Sequence, residues 1–240
     1  MFTWAMTDFP ELESEHPATI VTEGKPLHSG FERNVGYRPT RQNRSADSEK
    51  RVLEAAELLF RENGYTHTKV SEIIRLSGVS TGSFYHRFGD KDGLKEVLIS
   101  RFVKAAHDQI SNLDVSRKTH GNLENMLGAM AGLIFDTMNH NLGIYRIVDE
   151  LSKTEPEKWE TFRKMGEAIR DRVCEGMHDY RTEVSGQGRE CEIAAGNAVQ
   201  LIIVVMLQTR LGAADMFPKE REALIRMVVD AAMGILKPER

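Results

Sequence analysis

One stretch, Thr68 to Leu94, TKVSEIIRLSGVSTGSFYHRFGDKDGL, restricts what this 240-residue chain can fold into more than any other. Two short helical patterns, Lys69 to Leu76 and Ser80 to Arg87, flank Ser77, Gly78 and Val79, a spacer with the length and composition of the turn in a helix-turn-helix. A turn that tight needs a residue at positive φ, and Gly78 adopts that conformation without a side-chain clash. Ile73, Ile74, Val79, Phe84 and Phe88 are spaced to face inward from both helices, which leaves Ser80, Thr81, Ser83, His86 and Arg87 outside.

That outer face suits the edges of bases in a DNA major groove. The groove is about 12 Å wide and admits one α-helix, provided the backbone comes close enough for side chains to hydrogen-bond. Gly82 permits that approach, Thr81 reaches a base edge or a thymine methyl, and His86 donates to guanine or stacks on a methyl. Ser80, Tyr85 and Arg87 are placed for phosphate oxygens, which fix register without reading sequence. Thr68 is expected to cap the first helix and to turn its hydroxyl toward a phosphate, with Lys69 beside it on the same DNA-facing side. Lys91 falls in the first turn of the next helix, behind an expected Asp90 N-cap, where free N–H groups and an ammonium together favour an anion. No acidic residue lies between Ser80 and Gly89, so nothing on this face repels the phosphates.

At these residues the chain resembles the TetR family of transcriptional regulators. The resemblance is carried by AAELLFRENGY, Thr68, SGVSTGSFYHRF and KDGL, with Ile74, Ser77 and Ser83 as mild departures from the usual alanine, alanine and threonine. It covers roughly residues 46 to 106, and the rest of the chain only by its helical layout. It implies a homodimeric, mostly repressing DNA-binding protein whose second domain often holds a small-molecule pocket.

The net charge of −4 is lower than a protein bound mainly by nonspecific nucleic-acid contacts would carry, although local charge is what a phosphate feels. A hydrophobic fraction of 40% is enough for a real core. Cys174 and Cys191 lack metal-ligand spacing and fit a reducing compartment. No basic segment precedes an apolar run at the N-terminus, and the longest apolar run, Leu201 to Leu207, is far short of the ~20 residues that span a bilayer. These features predict a cytoplasmic protein with no membrane partner.

Residues 1 to 45 have no helical period and read as a flexible arm. Within it Arg33, Arg38, Arg41 and Arg44 follow one another with no acid between, either as a solvated linker or as an arm for the adjacent minor groove. From Asp47 to Asn63 the apolar residues recur at helical steps until Gly64 ends the pattern. The helix from Asp90 to about Asn112 joins this head, 46–106 with its helix-turn-helix at 69–88, to a body over 112–240. A polar break runs from Leu113 to Gly121. Helical periods then recur at 122–139, 142–151, from Pro156 to about Tyr180, at 190–211 and at 219–236, with no strand alternation. The fold class is therefore all-α, a three-helix DNA-binding head on a helical ligand-binding and dimerisation bundle. The last two helices either pair with those of a second copy, which the account favours, or complete a monomer core.

Met126, Met130, Met138, Tyr145, Trp159, Phe162, Met165 and Met177 fall on faces expected to converge in the body. A lining of methionine and aromatic rings suits an effector of apolar or mixed polarity. Asn139, His140, Arg146, Glu150 and Gln208 are candidates for orienting it. No phosphate-binding glycine loop, GxSxG, HExxH or CxxC occurs, so neither catalysis nor a cofactor or metal is expected. The reading is a DNA-binding regulator acting on a palindromic operator, most simply a ligand-responsive repressor. An activator, or a helical interaction protein with a vestigial helix-turn-helix, remains the alternative.

Overall fold

Left-handed glycines delimit the first helices. The computed structural model describes residues 41–153, 159–186 and 188–237, with side chains from Ser45 onward. Helix α1, Arg41–Asn63, buries Val52, Leu53, Ala55, Ala56 and Phe60 along one face. It stops at Gly64, which has φ 76° and returns its N–H to the Phe60 carbonyl at 3.0 Å. Helix α2, Val70–Ser77, ends at Gly78 with φ 64°, and α3, Thr81–Phe88, starts two residues later. Gly78 thus makes the expected turn, and Ile73, Phe84 and Phe88 are buried beneath it. Helix α4, Lys91–Ser111, is capped by Asp90, whose carboxylate accepts the Gly93 N–H at 2.8 Å.

The remaining helices are α5, Arg117–His120; α6, Leu123–His140; α7, Leu142–Ser152; α8, Glu160–Gly176; α9, Arg189–Leu211; and α10, Arg221–Leu236. No strand occurs among the described residues, which all fall in one compact unit. Helix α9 packs along α8 and α10, α10 lies on α6, and α4 lies on α8. Helix α1 packs on both α2 and α7, so it touches the helix-turn-helix on one side and the bundle on the other.

Three boundaries differ from those expected. Helix α1 begins at Arg41, so the last residues assigned to a flexible arm continue its helix, while Arg33 and Arg38 lie outside the described residues. The polar break contains a one-turn helix, α5, because Asp114 accepts from both the Ser116 N–H and the Thr119 hydroxyl and folds the segment back. The helix expected to run to Tyr180 ends at Gly176 and tightens into a 3-10 turn, Met177–Tyr180; Gly176 sits where a Cβ would meet Val115 Cγ2 at 2.6 Å. Its expected start, Pro156, lies outside the described residues.

Helix α9 has the length and apolar content of a membrane-crossing helix. Ala195, Ala198, Val199, Ile202 and Met206 nevertheless pack into the bundle, while Ile193 and Val204 stay exposed. This is a core helix with apolar surface to spare.

Candidate DNA interface and a cavity in the bundle

Helix α3 carries no acidic side chain, and its first turn is organised by Ser80, whose Oγ accepts the Ser83 N–H at 3.1 Å and lies 2.8 Å from the Ser83 hydroxyl. Thr81, Gly82, Ser83, Tyr85 and His86 are exposed, while Phe84 and Phe88 anchor the opposite face. Nothing lies within 4 Å of where a Gly82 Cβ would be, so the fold does not require glycine there. The face is polar, free of carboxylates and opens on a helix N-terminus, where the peptide dipoles favour negative charge. Lys69 is exposed and precedes α2, its N–H held by Glu72 Oε2 at 2.8 Å. A groove of about 630 Å³ beside α3 is lined by Ser45, Ser48, Ser80, Ser83, His86 and Arg87.

Three of the expected DNA-facing residues have other work. Thr68 does not cap α2, since Lys69 holds that position. Thr68 is 1% exposed and its hydroxyl donates to Gly64 O at 2.7 Å and to Leu59 O at 3.2 Å, satisfying carbonyls left over at the end of α1. Lys91 does not offer its ammonium to an anion. Its Nζ donates to Tyr65 O at 3.0 Å and Thr68 O at 3.1 Å and lies 4.4 Å from the centre of the Tyr65 ring, pinning the α1–α2 loop onto α4. Arg87 is half-buried, donating to Ser45 O at 2.6 Å and to Glu49 at 3.2 Å. Glu49 also pairs with Arg101, so the charge of Arg87 is shared with α1 before any phosphate arrives.

The bundle contains a cavity of about 430 Å³ between α4, α6, α7, α8 and α9. Met130, Met138, Tyr145, Trp159, Phe162 and Met165 line it. Met126 and Met177, expected there too, are 1% and 4% exposed and belong to the core instead. Sequence spacing alone missed Ile110 of α4, Leu113 just beyond its end, and Val199 and Ile203 of α9, which complete the wall; only the packing of α8 against both helices brings them together. At one end Phe162 meets Tyr145 and Trp159 edge to face, with centroids 5.3 and 5.7 Å apart.

None of the polar residues expected to orient a ligand lines this cavity, and two of them, Arg146 and Glu150, tie α7 to α1 and to the loop that follows it. Arg146 Nη1 donates to Arg61 O, and Arg61 Nη2 donates to His140 O at 3.1 Å. Glu150 accepts from the Tyr65 and Thr66 N–H groups and from the Thr66 hydroxyl, while Asn139 is held by Arg210. Gln208 is exposed. The seam is closed by Glu57 of α1, whose Oε1 accepts the Gly143 N–H at 2.7 Å in the first turn of α7. A Cβ on Gly143 would lie 2.5 Å from Glu57 O, so only glycine lets the two helices approach this closely. Glu57 Oε2 and Arg61 Nε are buried without a hydrogen-bond partner. Burial raises the Glu57 carboxyl to about 7, against the lowering effect of the Gly143 N–H and the Arg61 charge.

Fold and site together describe a helix-turn-helix head seated on a helical bundle that encloses a cavity. Residues 52–98 match the profile of "Bacterial regulatory proteins, tetR family". The chain is 26% identical over 136 residues to the transcriptional repressor AcnR of Corynebacterium efficiens, a match covering 55% of this chain and 66% of that one. It is 30% identical over 67 residues to the transcriptional repressor NemR of Escherichia coli, covering 28% of this chain and 34% of NemR. The matched segments thus span about two thirds and one third of those relatives. Solved structures share the fold: a tetR-family regulatory protein from Rhodococcus RHA1 superposes with a TM-score of 0.58 at 14% identity, covering 80% of this chain and 98% of that one. Reduced NemR of E. coli superposes with a TM-score of 0.56 at 18% identity, covering 79% and 97%. Over residues 52–98 the chain therefore resembles the DNA-binding head of the TetR family of bacterial transcriptional regulators.

Proposed function

We propose that the protein is a homodimeric repressor that occupies a palindromic operator and is released by a small molecule bound in the cavity of the bundle. The observation that carries this reading is the outer face of α3, where Thr81, Gly82, Ser83 and His86 lie open and free of carboxylates beside a capped helix N-terminus. The names of the two relatives, both transcriptional repressors, support repression over activation. The division into a head at 46–106 and a body at 112–240 is part of the same proposal, as is a cytoplasmic location.

Dimerisation is assigned to α9 and α10. Val204 is exposed and Leu201, Val205, Met227 and Ile235 are only partly covered, so a second copy would bury apolar surface that one chain leaves wet. Two α3 helices then enter successive major grooves when they sit about 34–36 Å apart. A ligand acts by binding one head spacing better than another, since only a difference in affinity shifts the equilibrium. Two routes lead from cavity to head. Helix α4 brings Phe102 against Tyr145 and Phe162, and α7 carries Tyr145 within the seam that holds α1.

Selection of bound fragments from a random duplex pool tests the reading. It should enrich a twofold-symmetric motif, and sedimentation at micromolar concentration should give a dimer. Recovery of no motif, or a monomer throughout, overturns it.

A further inference from the structure

Among the described residues three tyrosines are buried, and the hydroxyl of one of them has no hydrogen-bond partner there. Tyr65 donates to Asp92 at 2.6 Å and Tyr180 to Val115 O at 3.1 Å. Tyr145, 6% exposed, has no hydrogen-bond partner among the described residues, and it lines the cavity. The ring is buried, but the hydroxyl lies in a residue that lines the cavity, so its donor is open to a bound molecule. Burial pushes the phenol above its ordinary range, so it stays protonated and able to donate.

Resting on the effector reading above, we infer that the cavity takes a neutral, ring-bearing, largely apolar molecule with a carbonyl-type oxygen, and that the Tyr145 hydroxyl recognises that oxygen. The ring is called for by the edge-to-face cluster of Tyr145, Phe162 and Trp159, since aromatic groups add best to such clusters in offset or edge contacts. Met130, Met138 and Met165 supply contacts that adapt to its outline. Neutrality follows from the charges at the wall. Arg163 is paired with Glu160, and Arg170 with Asp171 at 2.7 Å, so neither guanidinium is free to compensate a buried anion. The remaining charged lining residue, Glu167, is exposed and lies near Arg170. A volume of about 430 Å³ is in the range of small-molecule sites, about 300–1,000 Å³.

Tyr145 also places this contact on the helix that holds the head. Two residues before it is Gly143, gripped by Glu57, and the next residue is Arg146, which donates to Arg61 O. A molecule held by the hydroxyl therefore loads α7 between its two attachments to α1.

Equilibrium dialysis of the full chain against acetylnaphthalene, ethylnaphthalene and naphthoate tests the inference. The wild type should bind the ketone at least about tenfold more tightly than the hydrocarbon, the worth of one well-placed hydrogen bond. Tyr145→Phe should abolish that preference by weakening the ketone alone, with hydrocarbon binding and Tm retained. Equal binding of ketone and hydrocarbon by the wild type, or an undiminished preference in the variant, overturns the role of Tyr145. Tighter binding of naphthoate than of either neutral probe overturns the neutral class. If none of the three binds, the effector reading itself fails, an outcome distinct from equal binding.

Discussion

The Glu150 carboxylate of α7 accepts the backbone N–H of Thr66 at 2.9 Å, and it takes the Thr66 hydroxyl and the Tyr65 N–H as well. Gly64, at the end of α1, lies so close that any Cβ there would strike the same carboxylate. The loop that leads into the helix-turn-helix is thus held by a charge on the bundle.

Removing that charge should loosen the loop. Glu150→Ala is expected to cost about 1–2 kcal/mol, since the exposed Thr66 donors regain water and only the part-buried Tyr65 N–H is left poorly paired. Hydrogen exchange should show the Tyr65 and Thr66 amides losing protection while those in the middle of α6 keep theirs. Unchanged protection at Tyr65 and Thr66 would mean that the loop holds its shape without the clasp.

Stability should depend on pH through Glu57. Its carboxyl titrates at about 7 in the fold against an ordinary 4.5, so between those values the folded chain holds a proton that the unfolded chain has lost. Stability from this group is therefore full below 4.5 and declines as pH rises toward 7, by about 3 kcal/mol at most. Glu57→Gln keeps an oxygen for the Gly143 N–H and removes the titration. Urea midpoints at about pH 5 and about pH 8 should differ less in the variant than in the wild type. A variant with the wild-type pH slope would place the titrating group elsewhere.

Lys91 supplies a structural bond where the sequence suggests a phosphate contact. With its ammonium on the Tyr65 and Thr68 carbonyls, Lys91→Met should lower Tm by several degrees, at about 2–4 °C per kcal/mol lost for a chain of this size. The salt dependence of DNA binding should be unchanged. An unaltered Tm with a slope reduced by about 1 would restore the phosphate role.

The chain's helices were legible where local chemistry decides. Gly64, Gly78 and Asp90 mark their helix boundaries through backbone conformation and capping, which depend on neighbours in sequence. The inward face of Ile73, Phe84 and Phe88 follows from spacing. What sequence could not give was the use of polar side chains across the fold. Lys91, Thr68, Arg87 and Glu150 are as polar as any DNA or ligand contact, and their partners lie from 4 to 85 residues away. The cavity divided along the same line. Its methionines on the α6 face turned toward α8 were found, while Met126 and Met177 share the helical period but face the core.

The central claim is that the outer face of α3 meets duplex DNA at close range, and Gly82 tests it most directly. Among the described residues nothing lies within 4 Å of where its Cβ would be, so Gly82→Leu should fold as the wild type does and keep its Tm. Anisotropy titration of a duplex selected by the wild type should then show affinity reduced at least about thirtyfold, since a bulky side chain holds the helix away from the base edges. Wild-type affinity in a folded Gly82→Leu variant would contradict the account.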